Sequence, residues 1–160
     1  MATTLFIHGL ESSNQGTKSV FFRERIPNMI IPNFPGDFDE RMVKLRSIME
    51  GKENIRIVGS SFGGLMATVF AMEAAGAVER LILLAPAIHR LDELKNVETA
   101  SIDIPTWIYH GTHDEVIPIR KVQEISEKLF TNLFFHAVDD DHFLHKTFKT
   151  LDWRLLLKVP

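Results

Sequence analysis

Ile55-Arg56-Ile57-Val58-Gly59-Ser60-Ser61-Phe62-Gly63-Gly64-Leu65 carries a β-branched run into a long apolar run through two serines and three glycines. The order reads as strand, sharp turn, helix. A turn this tight holds its middle residue, Ser61, in a strained conformation and pushes the hydroxyl out above the sheet edge, while Gly59 and Gly63 leave room on either side because they lack Cβ atoms. The pattern G-x-S-x-G is a nucleophile elbow. Two other readings fit a Gly/Ser-rich loop: an ordinary strand-to-helix connection, and an anion cradle at a helix N-terminus. The chain has no Gly-Lys-Ser/Thr ending and no G-x-G-x-x-G, so the phosphate reading has little support.

Outward from the elbow, short apolar runs alternate with helical patterns. Strands are expected over 3–7, 29–31, 55–58, 80–85, 104–110 and 133–138, and helices over 18–26, 39–50, 63–75, from Pro118 onward, and 143–157. Residues 89–96 have room for one or two helical turns. The 63–75 helix carries Leu65, Met66, Val69, Phe70 and Met72 on nearly every side, which implies burial all round. Alternating strands and helices imply parallel strands joined by right-handed crossovers, here a three-layer αβα sandwich on a six-stranded parallel sheet, folded as one domain over 1–160. Ligands of such sheets sit beyond the carboxyl ends of the strands.

Two further strand ends carry candidate chemistry. Asp114 lies in His110-Gly111-Thr112-His113-Asp114-Glu115-Val116-Ile117-Pro118, and His142 in Asp139-Asp140-Asp141-His142-Phe143. A serine hydroxyl is a poor nucleophile at neutral pH. It needs a base to take its proton, the role expected of His142, and a carboxylate to fix the imidazole, the role expected of Asp114. Backbone N–H groups of Phe62 and Leu10 are the candidate oxyanion donors. The side chains of Leu10, Phe62 and Ile117 are candidate pocket walls. Asp139 and Asp140 compete for the acid role, although their closeness to His142 in sequence favours loop fixing, and Asp141 could cap the last helix. His110, His113, Asp114, His142 and His145 admit a metal reading that no thiolate or tight spacing completes. His8 reads as a loop-shaping ring bonded to backbone.

Composition narrows the partners. A chain of 160 residues with 45% hydrophobic and 24% charged content suits an ordinary globular domain, and at this length it can bury about 70% of its unfolded surface. The absence of cysteine removes disulfides, thiolate nucleophiles and zinc–thiolate sites. No apolar run reaches membrane-spanning length, and the N-terminus lacks a basic region before its first apolar run, so no signal peptide and no membrane partner are expected and a cytoplasmic location is the default. A net charge of −3 with scattered basic residues leaves no footprint for nucleic acid. The expected partner is a small molecule.

His8-Gly9-Leu10, Gly59-Ser60-Ser61-Phe62-Gly63-Gly64, Gly111 to Pro118 and Asp141-His142-Phe143 together resemble the oxyanion loop, elbow, acid loop and histidine loop of the α/β-hydrolases, in the same chain order. The resemblance spans almost the whole chain. It implies a sheet in the order 2-1-3-4-5-6 in this chain's own strand numbering, a minimal α/β-hydrolase core without a cap domain, and no antiparallel hairpin before the first strand. It also implies a serine hydrolase of carboxylesterase type that cleaves a small ester or thioester through an acyl-enzyme on Ser61, with a small-molecule acyl substrate and no cofactor. Small-peptide hydrolysis or acyl transfer on the same triad, a metal-dependent hydrolase and a non-catalytic binding protein of the same fold are the alternatives.

Overall fold

The computed structural model describes residues 1–160. Five parallel strands, β1 (Thr3–Ile7), β2 (Ile55–Ser60), β3 (Val78–Leu84), β4 (Thr106–Gly111) and β5 (Leu133–Val138), form one sheet in the order β1-β2-β3-β4-β5. The register pairs Ile7 with Gly59, Ser60 with Leu84, Leu84 with Tyr109, and Gly111 with Val138. The carboxyl ends of the strands therefore lie along one edge, and every loop that carries candidate chemistry leaves from that edge.

Alternation along the strands divides the core in two. Leu5, Ile7, Ile57, Leu81, Leu83 and Ile108 pack with Met42 and Leu45 of α2 (Phe38–Met49), Leu65, Val69 and Phe70 of α3 (Phe62–Glu73), and Val122 and Leu129 of α4 (Ile119–Leu129). On the opposite face, Phe6, Val58, Ile82, Leu84 and Tyr109 pack with Phe22 of α1 (Thr17–Arg25) and with Trp153 and Leu157 of α5 (Trp153–Leu157). The sandwich has three layers, one thicker than the other. α3 is buried without a break from Phe62 to Ala71, as its all-round apolar sequence requires. α2 starts at a capping box in which the Asp37 carboxylate accepts the Glu40 N–H and the Glu40 side chain accepts the Asp37 N–H. It stops before Gly51, which adopts φ 74°.

The sheet has five strands, not the six expected. Segment 29–31 does run beside β1 at the expected edge, where the Ile30 N–H donates to Thr4 O at 2.9 Å and the Phe6 N–H donates to Ile30 O at 3.0 Å. It remains a single bridge, Leu5 with Ile30. Asn28 at φ 63° turns the chain just before it, and Pro32, which has no N–H, ends it just after, so no ladder can extend either way. The single helix expected over 143–157 is also absent. Leu144 at φ 55° breaks helical geometry, the Asp140 carboxylate captures the Lys146 and Thr147 N–H groups, and the chain makes a short 3₁₀ turn at Phe148–Thr150. Asp152 then caps α5 by accepting the Leu155 N–H at 3.1 Å. No helix is long and apolar enough to cross a membrane.

The tightest joint lies under the elbow. A Cβ at Gly63 would stand 2.1 Å from Ile7 O and 2.7 Å from His8 O, both backbone atoms that cannot step aside. Gly63→Ala is expected to lower the unfolding free energy by about 3 kcal/mol. Gly76→Ala, where a Cβ meets nothing within 4 Å, should change it by less than about 1 kcal/mol. Urea midpoints of the two variants check the contrast.

Candidate active site

Ser61 sits between β2 and α3 at φ 55°, ψ −115°. That backbone is uncommon for an L-residue and persists only where surrounding bonds dictate it. Here they do: the Ser61 N–H donates to Leu84 O at 2.9 Å, and Ser61 O accepts N–H groups from Gly64 and Ala87, each at 2.9 Å. The serine is thereby tied to β3 and to the turn after it, as well as to its own helix. Its side chain opens into a cleft of about 620 Å³ that His142 also lines. The two side chains share the cleft without a direct hydrogen bond between them, and such contacts commonly tighten only when substrate is bound.

Asp114 and His142 come from different loops, and the backbone stitches those loops together. The Thr112 N–H donates to Val138 O at 2.8 Å and the His113 N–H to Asp140 O at 3.0 Å. Gly111 permits the approach, since a Cβ there would lie 2.3 Å from Asp140 O. The result is an ion-pair geometry in which His142 Nδ1–H donates to Asp114 Oδ2 at 2.7 Å, with the Asp114 side chain fully buried and that of His142 10% exposed. With Nδ1 holding the proton, the acceptor position of the neutral ring is Nε2. Asp114 Oδ1 accepts the N–H groups of Val116 at 2.8 Å and Ile117 at 2.7 Å. Burial pushes this carboxyl up, but the His110 ring edge and the hydrogen bonds from His142 and the Ile117 amide outweigh it and hold Asp114 well below the usual carboxylate range.

The competing acids are engaged elsewhere. Asp139 bonds the exposed His113 ring at 2.9 Å. Asp140 is buried and accepts the N–H groups of Asp141, Lys146 and Thr147, which fixes the histidine loop from inside. Asp141 accepts the Phe143 N–H at 3.0 Å and bonds the exposed His145 ring at 2.6 Å, capping a turn where a helix was expected. His113 and His145 thus lie away from the Asp114–His142 pair. No three His, Asp or Glu side chains converge as a metal-ligand set.

The first loop is shaped by a buried ring. His8 Nε2 accepts the Phe34 N–H at 2.9 Å, which places the proton on Nδ1, and Nδ1–H donates to Gly9 O at 2.7 Å. Because a trans peptide directs its C=O and N–H oppositely, turning the Gly9 carbonyl toward the ring turns the Leu10 N–H away from it. That N–H has no backbone acceptor. The Phe62 N–H opens α3, where no intrahelical acceptor exists. Burial lowers the His8 pKa, and the charges of Arg41 and Lys44 add to this against the opposing pull of the Gly9 carbonyl.

Leu10, Phe62 and Ile117 all line the cleft, as do Lys18, His89, Arg90, Val116 and Phe143. Leu10, Val116 and Phe143 are 47%, 63% and 58% exposed, an apolar mouth built from three separate loops. Phe62 lies between two guanidiniums, Arg41 at 5.1 Å and Arg90 at 5.4 Å from the ring centre. Arg41 was not among the expected site residues, yet it is buried and donates to Gly36 O and Leu10 O. Its spacing was the available signal, because 41, 45 and 49 fall on the buried arc of α2 with Leu45 and Met49. His110 was expected only as a possible metal ligand, and it lies beside Asp114 instead.

This topology and strand-end site define the α/β-hydrolase fold. The chain is similar in structure to an α/β-superfamily protein from Xanthomonas campestris, at 22% identity and TM-score 0.76 over 99% of this chain and 97% of that one. It is similar to Est1E from Butyrivibrio proteoclasticus, at 15% and 0.76 over 98% and 86%, and to mouse alpha/beta hydrolase domain-containing protein 10, at 17% and 0.74 over 98% and 86%. At these identities the likeness is one of fold. No curated protein sequence matches the chain. Residues 3–97, more than half of the chain, match the uncharacterised protein family UPF0227, and the chain belongs to that family.

Two titrations should separate in stability measurements. Asp114 has a depressed pKa in the folded state, so its contribution is complete above the unfolded value of about 4 and is lost as pH falls through the folded value. Asp114→Asn should cost about 2 kcal/mol at neutral pH, with the gap to wild type closing only below about pH 4. His8 also has a depressed folded pKa, so its neutral, bonded form contributes fully above about 6.5 and loses ground below it. His8→Asn should therefore show a smaller stability loss than wild type between pH 7 and 5. Urea titrations at pH 7, 5 and 3 check both.

Proposed function

We propose that the protein is a serine hydrolase that cleaves small carboxylic esters or thioesters. The observation that carries this reading is the buried Asp114–His142 pair, joined at 2.7 Å, opening into the same cleft as a backbone-strained Ser61. In the proposed reaction, His142 Nε2 takes the Ser61 proton as Oγ bonds to the substrate carbonyl carbon. Asp114 keeps the imidazole oriented and stabilises its charged form. The oxyanion is met by the Phe62 and Leu10 N–H groups, whose lack of other acceptors suits them to the task. Collapse breaks the bond to the leaving alcohol or thiol, which receives the proton from His142. Water, deprotonated by the same ring, then attacks the acyl carbon, the bond from that carbon to Ser61 Oγ breaks, and Oγ takes the proton back from His142 as the acid leaves. The chemistry calls for no metal or organic cofactor. The apolar mouth of Leu10, Val116 and Phe143 suits an uncharged acyl group on a small-molecule substrate.

A fluorophosphonate probe tests for an activated serine without the natural substrate. Wild type should label and release p-nitrophenol from short acyl esters. Ser61→Ala should not label and should lose roughly a thousandfold or more in kcat/KM. A folded wild type that neither labels nor turns over overturns the reading. The mouth makes a second expectation: Leu10→Ser with Val116→Ser should raise KM several-fold for hexanoyl esters and change acetyl esters little, with kcat held, because such contacts bind ground and transition states alike.

A further inference from the structure

His110 occupies the penultimate position of β4 and has no exposed surface. Its Nε2 lies 2.9 Å from Ile117 O and 3.2 Å from Asp114 Oδ2. A carbonyl cannot donate, so the proton is on Nε2: His110 donates it to Ile117 O and holds the same ring edge 3.2 Å from Asp114 Oδ2. Its Nδ1 is buried and has no partner. A polar ring kept in a dry interior with one nitrogen unsatisfied costs free energy that an apolar side chain of similar size does not. The contact it makes is specific: Asp114 Oδ2 accepts the His142 Nδ1–H at 2.7 Å and has the positive edge of the His110 ring 3.2 Å away. With the Val116 and Ile117 N–H groups on Oδ1, the carboxylate accepts three hydrogen bonds, and His110 Nε2 is its fourth polar neighbour.

We propose that His110 is a positioning residue that holds Asp114 in the plane and acceptor strength the His142 imidazole requires. The inference rests on the serine-hydrolase reading. Two effects follow from the geometry. The bond from His110 to Ile117 O closes the loop 110–117 on itself and holds the imidazole edge against Asp114 Oδ2, which limits rotation of the carboxylate. The partial positive charge of that edge faces the oxygen that His142 uses, which weakens the pull of Asp114 on the charged imidazole. Removing the His110 donor leaves Oδ2 to His142 alone, favours the charged ring, and moves the acid limb of the rate profile to higher pH. The other charged or titratable groups around His142 are Lys18 of α1, bonded to Phe143 O at 2.9 Å, the Asp141–His145 pair and Asp140 on its own loop, and His8, Glu11, His89 and Arg90 along the cleft. None of them contacts His110, so a substitution there leaves them in place.

The test compares His110→Gln, whose amide N–H can reach the position of Nε2, with His110→Met, which fills the space without a donor. Profiles of kcat/KM against pH on a p-nitrophenyl ester are expected to coincide for wild type and His110→Gln. For His110→Met the acid limb should rise by about half a pH unit or more, and kcat should fall about tenfold with KM little changed. In parallel, the low-field proton NMR resonance of the His142 Nδ1–H should move in His110→Met and return in His110→Gln. That signal is read without turnover. If wild type proves inactive yet the resonance responds, the positioning role stands and the hydrolase reading fails. If His110→Met is folded and keeps the wild-type limb and resonance, His110 is only a packing residue and the inference is overturned.

Discussion

Ser61 holds φ 55° and ψ −115°, a backbone state that costs an L-residue on the order of 1–3 kcal/mol, and the surrounding structure is arranged so that no relaxed alternative is available. Three of its backbone bonds reach Leu84, Gly64 and Ala87. Relaxing the serine would break the continuity between β2 and β3 and unseat the first turn of α3. That helix is the most buried helix of the chain, and its entry passes within contact of the Ile7 and His8 carbonyls. The strain at one residue is thus carried by the same packing that joins β1, β2 and β3. In return the candidate nucleophile stands clear of the sheet edge, in the one place where residues from all the strand ends can meet.

The other half of the site is ordered by hydrogen-bond saturation. Asp114 is deeply buried and charged, and a bare carboxylate there would carry a desolvation cost of several kcal/mol. Three N–H donors, from Val116, Ile117 and His142, offset that cost together with the His110 ring edge at 3.2 Å. A similar logic applies to Arg41. It is buried without a carboxylate partner, and it is accommodated by the Gly36 and Leu10 carbonyls and the face of Phe62. Both groups brace a backbone segment: Asp114 braces its own loop, and Arg41 braces the loop whose Leu10 N–H is the proposed oxyanion donor.

The sequence made the fold class legible because the signals that decide it are local. Apolar runs at strand spacing, the all-round apolar α3 and the G-x-S-x-G turn each need no knowledge of distant contacts. The errors fell where tertiary contacts outweigh local pattern. Segment 29–31 has strand-like residues, yet Asn28 and Pro32 confine it to one bridge. Residues 143–157 have helical spacing, but Asp140 takes two of the N–H groups that such a helix would need. At the site, residue types and chain order singled out Ser61, Asp114 and His142. The contacts of His110 were illegible because they depend on how the acid loop curls back, bringing Ile117 O to a ring seven residues earlier. Arg41 was hidden by its charge, which a hydropathy reading assigns to solvent.

The short connection between β3 and β4 bears on what the cleft can select. Residues 85–105 hold only the 3₁₀ turn Ile88–Glu93 as regular helix, so no separate layer of helices covers the strand ends. The mouth is therefore formed by the site loops themselves, with Leu10, Val116 and Phe143 standing one or two residues from Gly9, Asp114 and His142. Those side chains are exposed, whereas the groups of the candidate site are held from behind by buried partners: His8 for the first loop, His110 and backbone amides for Asp114, Asp140 for the histidine loop. Exposed residues generally tolerate replacement at little cost in stability. On the proposed reading, substrate preference can then change at Leu10 and Val116 while the geometry of the Asp114–His142 pair and the Ser61 turn is preserved, whereas Phe143 packs edge-on against the His142 ring at 5.3 Å, so a replacement there reaches the pair itself.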